Sequence, residues 1–321
     1  MISRYGSASV HWEGQTTPTL AMALMLIALV FATTTGCSVR KYAAKQMGNV
    51  LAESGTVYAS DNDIELVGEA LPFGLKTMES VLSEVPDHRG LLVATASGFA
   101  QYAYVYVDSV AFELEETNPR RARELRKRAK RLYLRGRDYA LRALDLQQPD
   151  FKAMLRQDVQ SALAAFKPEN VPELYWAAVA WSAAIATDKQ DMELLADLDL
   201  IEPMIQRSLE LDESFDYGAI HQFMVSFEGG RSAAQGGSVE RAREHFVRAM
   251  ELAEGKKVGP LVSLAETVSV SMQNRKEFQQ LLKQALVFDV DSVPEYRLAN
   301  LIAQRRARVL LSRIDDFFIG D

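Results

Sequence analysis

Arg142-Ala143-Leu144-Asp145-Leu146, Arg207-Ser208-Leu209-Glu210-Leu211, Arg248-Ala249-Met250-Glu251-Leu252 and Gln284-Ala285-Leu286-Val287-Phe288 are four versions of one helix end. Their small second residues, Ala143, Ser208, Ala249 and Ala285, lie 65, 41 and 36 residues apart. The last two intervals approach a helical-hairpin period of about 34, and the first has room for nearly two such units. A hairpin of this kind cannot bury its apolar stripe alone. Neighbours must stack, which predicts a superhelix with a concave face of the type that binds peptides or partner proteins.

The punctuation between these ends agrees. Asn62 and Glu65 have capping-box spacing, and Leu71, Leu75, Met78 and Leu82 make an apolar stripe that Pro72 should interrupt or bend and Pro86 should end. Asp87 is placed to cap a long helix from Leu91 to Leu114. Asn118-Pro119 stops one helix and starts another. Pro172 to Ala186 reads as an alanine-rich helix, and Ser238, after Gly236-Gly237, caps a helix running to about Ala253. Strand signals are nearly absent. The expected fold is all-α, a tetratricopeptide-like solenoid of stacked helical hairpins, as a single domain over residues 61–321.

The 321-residue chain carries 36 Lys and Arg against 43 Asp and Glu, a net charge of −7, which gives no electrostatic argument for nucleic acid. From Leu20 to Ala32 every residue is apolar. That run suits a signal-peptide core and is too short for a bilayer span of about 20 residues. Met1 to Thr19 is a poor n-region, with Arg4 against Glu13, so the true start could lie downstream. Thr34-Thr35-Gly36-Cys37 resembles the lipobox of bacterial lipoproteins, with Thr34 departing from the usual Leu. The reading is a leader over 1–36, lipidation of Cys37, a polar tether over 37–60, and a periplasmic body anchored to membrane. Ser38 in place of a retention aspartate favours the outer membrane. Cys37 is the only cysteine, so no disulfide can form within the chain.

Catalytic signals are missing. His88, His221 and His245 have no partner at a metal-ligand spacing, and Gly255-Lys256 lacks the rest of a phosphate loop. No cofactor, no metal and no enzymatic activity are expected. Three features could bind instead. Phe99, Tyr102 and Tyr106 share one helical face, with Tyr104 pointing elsewhere, and Trp176 and Trp181 sit in the alanine-rich helix. These five aromatics are the candidates for a ligand path or an interface. The third feature, Arg120 to Arg137, holds ten basic residues against one acid, Glu124, and would suit an acidic partner or anionic lipid if it is more than a solvated face.

Longer strings carry a resemblance. Asp61-Asn62-Asp63-Ile64-Glu65-Leu66-Val67 with Ala70-Leu71-Pro72-Phe73-Gly74-Leu75-Lys76 is one, and Arg89-Gly90-Leu91-Leu92 leading to Gly98-Phe99-Ala100-Gln101-Tyr102-Ala103-Tyr104 is another. Leu174-Tyr175-Trp176 with Trp181, Gly236-Gly237-Ser238 with Ala242-Arg243-Glu244-His245-Phe246, and Arg297-Leu298-Ala299-Asn300 with Gln304-Arg305-Arg306-Ala307 complete the set. Together they resemble the T component of tetratricopeptide-protein-associated TRAP transporters over nearly all of the chain beyond the leader. The resemblance implies a lipid-tethered periplasmic protein, trimeric, with a cavity or pore. It also implies docking to the transporter's substrate-binding P component and delivery of a hydrophobic ligand to an ion-driven permease. The alternative is a repeat scaffold lipoprotein organising an envelope or outer-membrane assembly, with no ligand path.

Overall fold

The computed structural model describes residues 39–319, with Met22 alone ahead of them. Cys37, its lipobox and the rest of the leader lie outside the described residues. Among these residues all regular elements are helical, as the sequence predicts. Helix α1 spans 39–53, followed by α2 (Ile64–Glu84) and α3 (Arg89–Ala103). Through a π-helical turn, Tyr104–Asp108, α3 continues into Ser109–Glu113. Then come α4 (Pro119–Asp145), α5 (Val171–Thr187), α6 (Leu198–Asp212), α7 (Phe215–Gly229) and α8 (Val239–Ala253). Helix α9 (Gly259–Leu264) runs into a second π-helical turn, Ala265–Ser269, before α10 (Arg275–Leu286) and α11 (Arg297–Ser312).

Several starts and stops follow local chemistry. Asn118 accepts a hydrogen bond from the Arg121 amide at 3.1 Å with Pro119 in the first turn, and Ser238 accepts from Arg241 N at 3.2 Å. Others were decided by neighbours. Asp63, one residue beyond Asn62, caps α2 through the Leu66 amide at 2.9 Å. Pro72 lies inside an unbroken α2 because buried Val67 before it and Leu75, Met78 and Leu82 after it belong to one packed stripe. That burial outweighs the backbone bond the proline removes. His88 rather than Asp87 caps α3, accepting from Leu91 N at 3.2 Å while its other ring nitrogen lies 3.0 Å from Asn49 on α1. The stretch read as a polar tether is thus helical over 39–53, with Ala44 and Leu51 packed on the α2–α3 core.

Consecutive helices pack as neighbours: α2 on α3, α3 on α4, α4 on α5, α5 on α6, α7 on α8 and α10 on α11. The repeated small residues explain themselves here. Ala143, Ser208, Ala249 and Ala285 are all essentially inaccessible, each a point where a larger side chain would hold two helices apart. Gly136 serves α3 and α4 likewise, since a Cβ there would lie 2.9 Å from the Ala96 carbonyl. Trp181 fills the space beside it, fully buried, with Arg137 and Lys152 over its ring at 5.0 and 4.9 Å.

The stack also closes on itself. Helix α11 returns to the first helices, where Arg297 donates to the Ser60 carbonyl at 2.9 Å and Arg305 lies 3.3 Å from Glu65. Arg313 donates to the Phe112 carbonyl at 2.7 Å, and Phe112 stacks on Phe317. Helices from both ends of the chain therefore face one interior.

Candidate functional site

That interior is hollow. A cavity of about 1360 Å³ is walled by residues from α1 to α7, α9 and α11, exceeding the 300–1,000 Å³ common for small-molecule sites. Its wall is mostly apolar: Leu71 and Leu75 from α2, Tyr175 and Trp176 from α5, Phe223 and Phe227 from α7. Tyr175 sits at the centre of an aromatic group, 5.1 Å from Trp176, 5.3 Å from Phe215 and 6.5 Å from Phe223. Burial drives its hydroxyl pKa strongly upward.

Of the five aromatics nominated from sequence, Trp176 lines this cavity. The other four pack in the surrounding wall. Phe99 is buried and stacks on Tyr139 at 6.0 Å, and Tyr102 meets Tyr106 at 5.5 Å. Tyr106 donates to the Ile64 carbonyl at 2.7 Å, tying α3 to the start of α2. Trp181 is in the core, and its indole N–H has no hydrogen-bond partner among the described residues. Tyr104, set apart from the other aromatics by helical spacing, is the tyrosine of that run that faces the cavity. It keeps 43% of its surface accessible, yet burial raises its pKa to about 12. A ring that is accessible yet desolvated lies in a recess of the protein rather than on its outer surface.

Three polar groups punctuate the apolar wall. Glu173, fully buried at the start of α5, is ion-paired with Arg89, which also bonds the Glu169 carbonyl. At the start of α7, Asp216, Tyr217 and Gly218 hold left-handed φ values of 43°, 53° and 81°. The first two cost energy for a side-chain-bearing residue. Lys257 (2.8 Å) and the Tyr296 hydroxyl (3.0 Å) clamp the Asp216 carboxylate. Burial lowers the Lys257 pKa and Asp216 partly restores it. The third group joins the two π-helical turns. Tyr104 and Asp108 come from one and Glu266 from the other, with Arg306 of α11 paired to Glu266. Burial raises the Asp108 carboxyl, although the Tyr133 hydroxyl donates to it at 3.3 Å.

Sequence spacing missed most of these residues. Phe223, Phe227, Asp108 and Glu266 carry no motif, and Arg306 stands in a resemblance string without a role attached; they converge because distant helices close into a ring. Among the described residues, no group of three His, Cys, Asp or Glu is placed to hold a metal ion, and no helix is long and apolar enough to cross a membrane.

Residues 60–318, almost the whole ring of helices around this cavity, match the family model of the TRAP transporter T-component. The chain belongs to that family. A protein of Treponema pallidum (strain Nichols), itself described as uncharacterized, is 28% identical to this T-component over 302 residues, covering 88% of this chain and 94% of that protein. Family membership makes the chain an accessory component of a TRAP transporter.

Proposed function

We propose that this T-component is a non-catalytic, lipid-anchored periplasmic accessory protein. It docks the transporter's substrate-binding protein and passes a hydrophobic ligand through its interior. Lipid on Cys37 holds it to the membrane, the outer membrane being favoured, and it assembles with copies of itself as a trimer.

The observation that carries this reading is the large, mostly apolar cavity of about 1360 Å³, partly open to solvent. A pure scaffold would gain stability by filling that volume, since unfilled apolar space costs packing energy. Retaining it argues for an occupant. The test is a pull-down with the purified substrate-binding protein of the same transporter. A complex at micromolar concentrations is expected, and its absence there would overturn the docking role.

A further inference from the structure

The central cavity is not the end of the hollow. A second cavity of about 430 Å³ adjoins it, and Tyr104, Asp108, Ala186, Lys189 and Arg306 stand in the walls of both. These residues form a neck between the two spaces. Both π-helical turns contribute here: one sets Tyr104 and Asp108 on the neck, and the other brings Glu266 to Arg306. Such turns inside α-helices cluster at functional positions because they push side chains out of the regular register.

The charged side chains around the neck pair off except for Asp108 and Lys189. Asp188, in the wall of the second cavity, is held by Lys130 at 2.8 Å, and Glu115 and Glu266 are held by the guanidiniums of Arg126 and Arg306. Arg126 is committed to Glu115 at 2.9 Å, and Arg306 grips Glu266 through two nitrogens, one of them at 3.2 Å. Asp108 is left with the Tyr133 hydroxyl at 3.3 Å and has no ion pair among the described residues. Lys189, the remaining cation of the neck, is exposed, so water screens it. Burial outweighs both arginines in raising the Asp108 carboxyl, which agrees with a carboxylate short of donors.

We infer that the neck is a head-group subsite: Asp108 accepts hydrogen bonds from the hydroxyl or ammonium head of a single-chain amphiphile whose tail lies in the central cavity. A carboxylate head is selected against, because it would meet the unpaired charge of Asp108 with both guanidiniums of the neck already committed. This assignment rests on the ligand-path reading above.

Isothermal titration of the full chain with dodecylammonium, dodecanol and dodecanoate tests it, the two ions below their micellar concentrations and the alcohol below its solubility limit. Dodecylammonium should bind at least about tenfold tighter than dodecanoate, the scale of one hydrogen bond to a charged group. Dodecanol should fall between them. In Asp108→Asn, with unchanged thermal melting, the ammonium-to-carboxylate ratio should fall to about threefold or less. Dodecanoate binding as tightly as dodecylammonium to the unaltered protein would overturn the head-group assignment and leave the cavity reading standing. A preference that survives in Asp108→Asn would overturn it too, since net surface charge would then be the cause. No binding by any of the three would remove the ligand path itself.

Discussion

His221 and His245 face each other between α7 and α8 with their Nδ1 atoms 2.8 Å apart. One ring must donate and the other accept, so a proton added to the accepting Nδ1 would set two N–H groups face to face and break that hydrogen bond. Glu213 lies 3.4 Å from His221 Nε2 but is engaged by Arg248, and Glu228 and Arg241 act on His245 with opposite signs. Burial first, then repulsion from His221, holds His245 down to about 4 from an ordinary 6.5; burial also lowers His221. Between pH 6.5 and 4 the unfolded chain therefore binds more protons at His245 than the folded one. Stability falls as pH falls through that window and levels off below it. The gap between 6.5 and about 4 corresponds to about 3 kcal/mol, and partial solvent access to the ring brings this to about 1.5 kcal/mol. Urea unfolding at pH 7 and pH 4.5 would measure it, with His245→Gln as the reference, because glutamine can keep a neutral partner for His221. The unaltered protein should lose about 1.5 kcal/mol more than the variant between the two pH values. Equal losses would refute the assignment, since the other acid-sensitive groups are common to both proteins.

Two further substitutions test the wall and the repeat. Arg89→Ala leaves fully buried Glu173 without its ion pair and should cost about 3 kcal/mol in urea unfolding. The double variant Arg89→Met, Glu173→Leu should regain most of that loss, and a double variant as unstable as the single one would show that the buried charge is not the cause. Ala285→Leu forces three extra carbons between α10 and its neighbours and should cost about 1–3 kcal/mol. Two residues on, the exposed Val287→Leu should change stability by less than about 0.5 kcal/mol; equal effects at both positions would remove the packing role of the repeated small residue.

The sequence by itself determined the helical class, the caps at Asn118 and Ser238, and the small residues at recurring helix ends, because each depends on neighbours within a turn or two. It also carried the family, through strings long enough to be specific. Tertiary structure decided where those helices meet. His88 displaced Asp87 as a cap because Asn49 of α1 fixes its ring, and α2 carried Pro72 because its stripe is buried on both sides. The cavity was the least legible feature. Asp108, Glu266 and Arg306 are separated by 158 and 40 residues, and Tyr104 reaches them from a π-helical turn that no helical wheel anticipates. A periodic pattern reports which face of a helix is apolar. Whether that face meets another helix or an empty interior depends on the ring closing through α11, a set of contacts 200 or more residues apart in the chain.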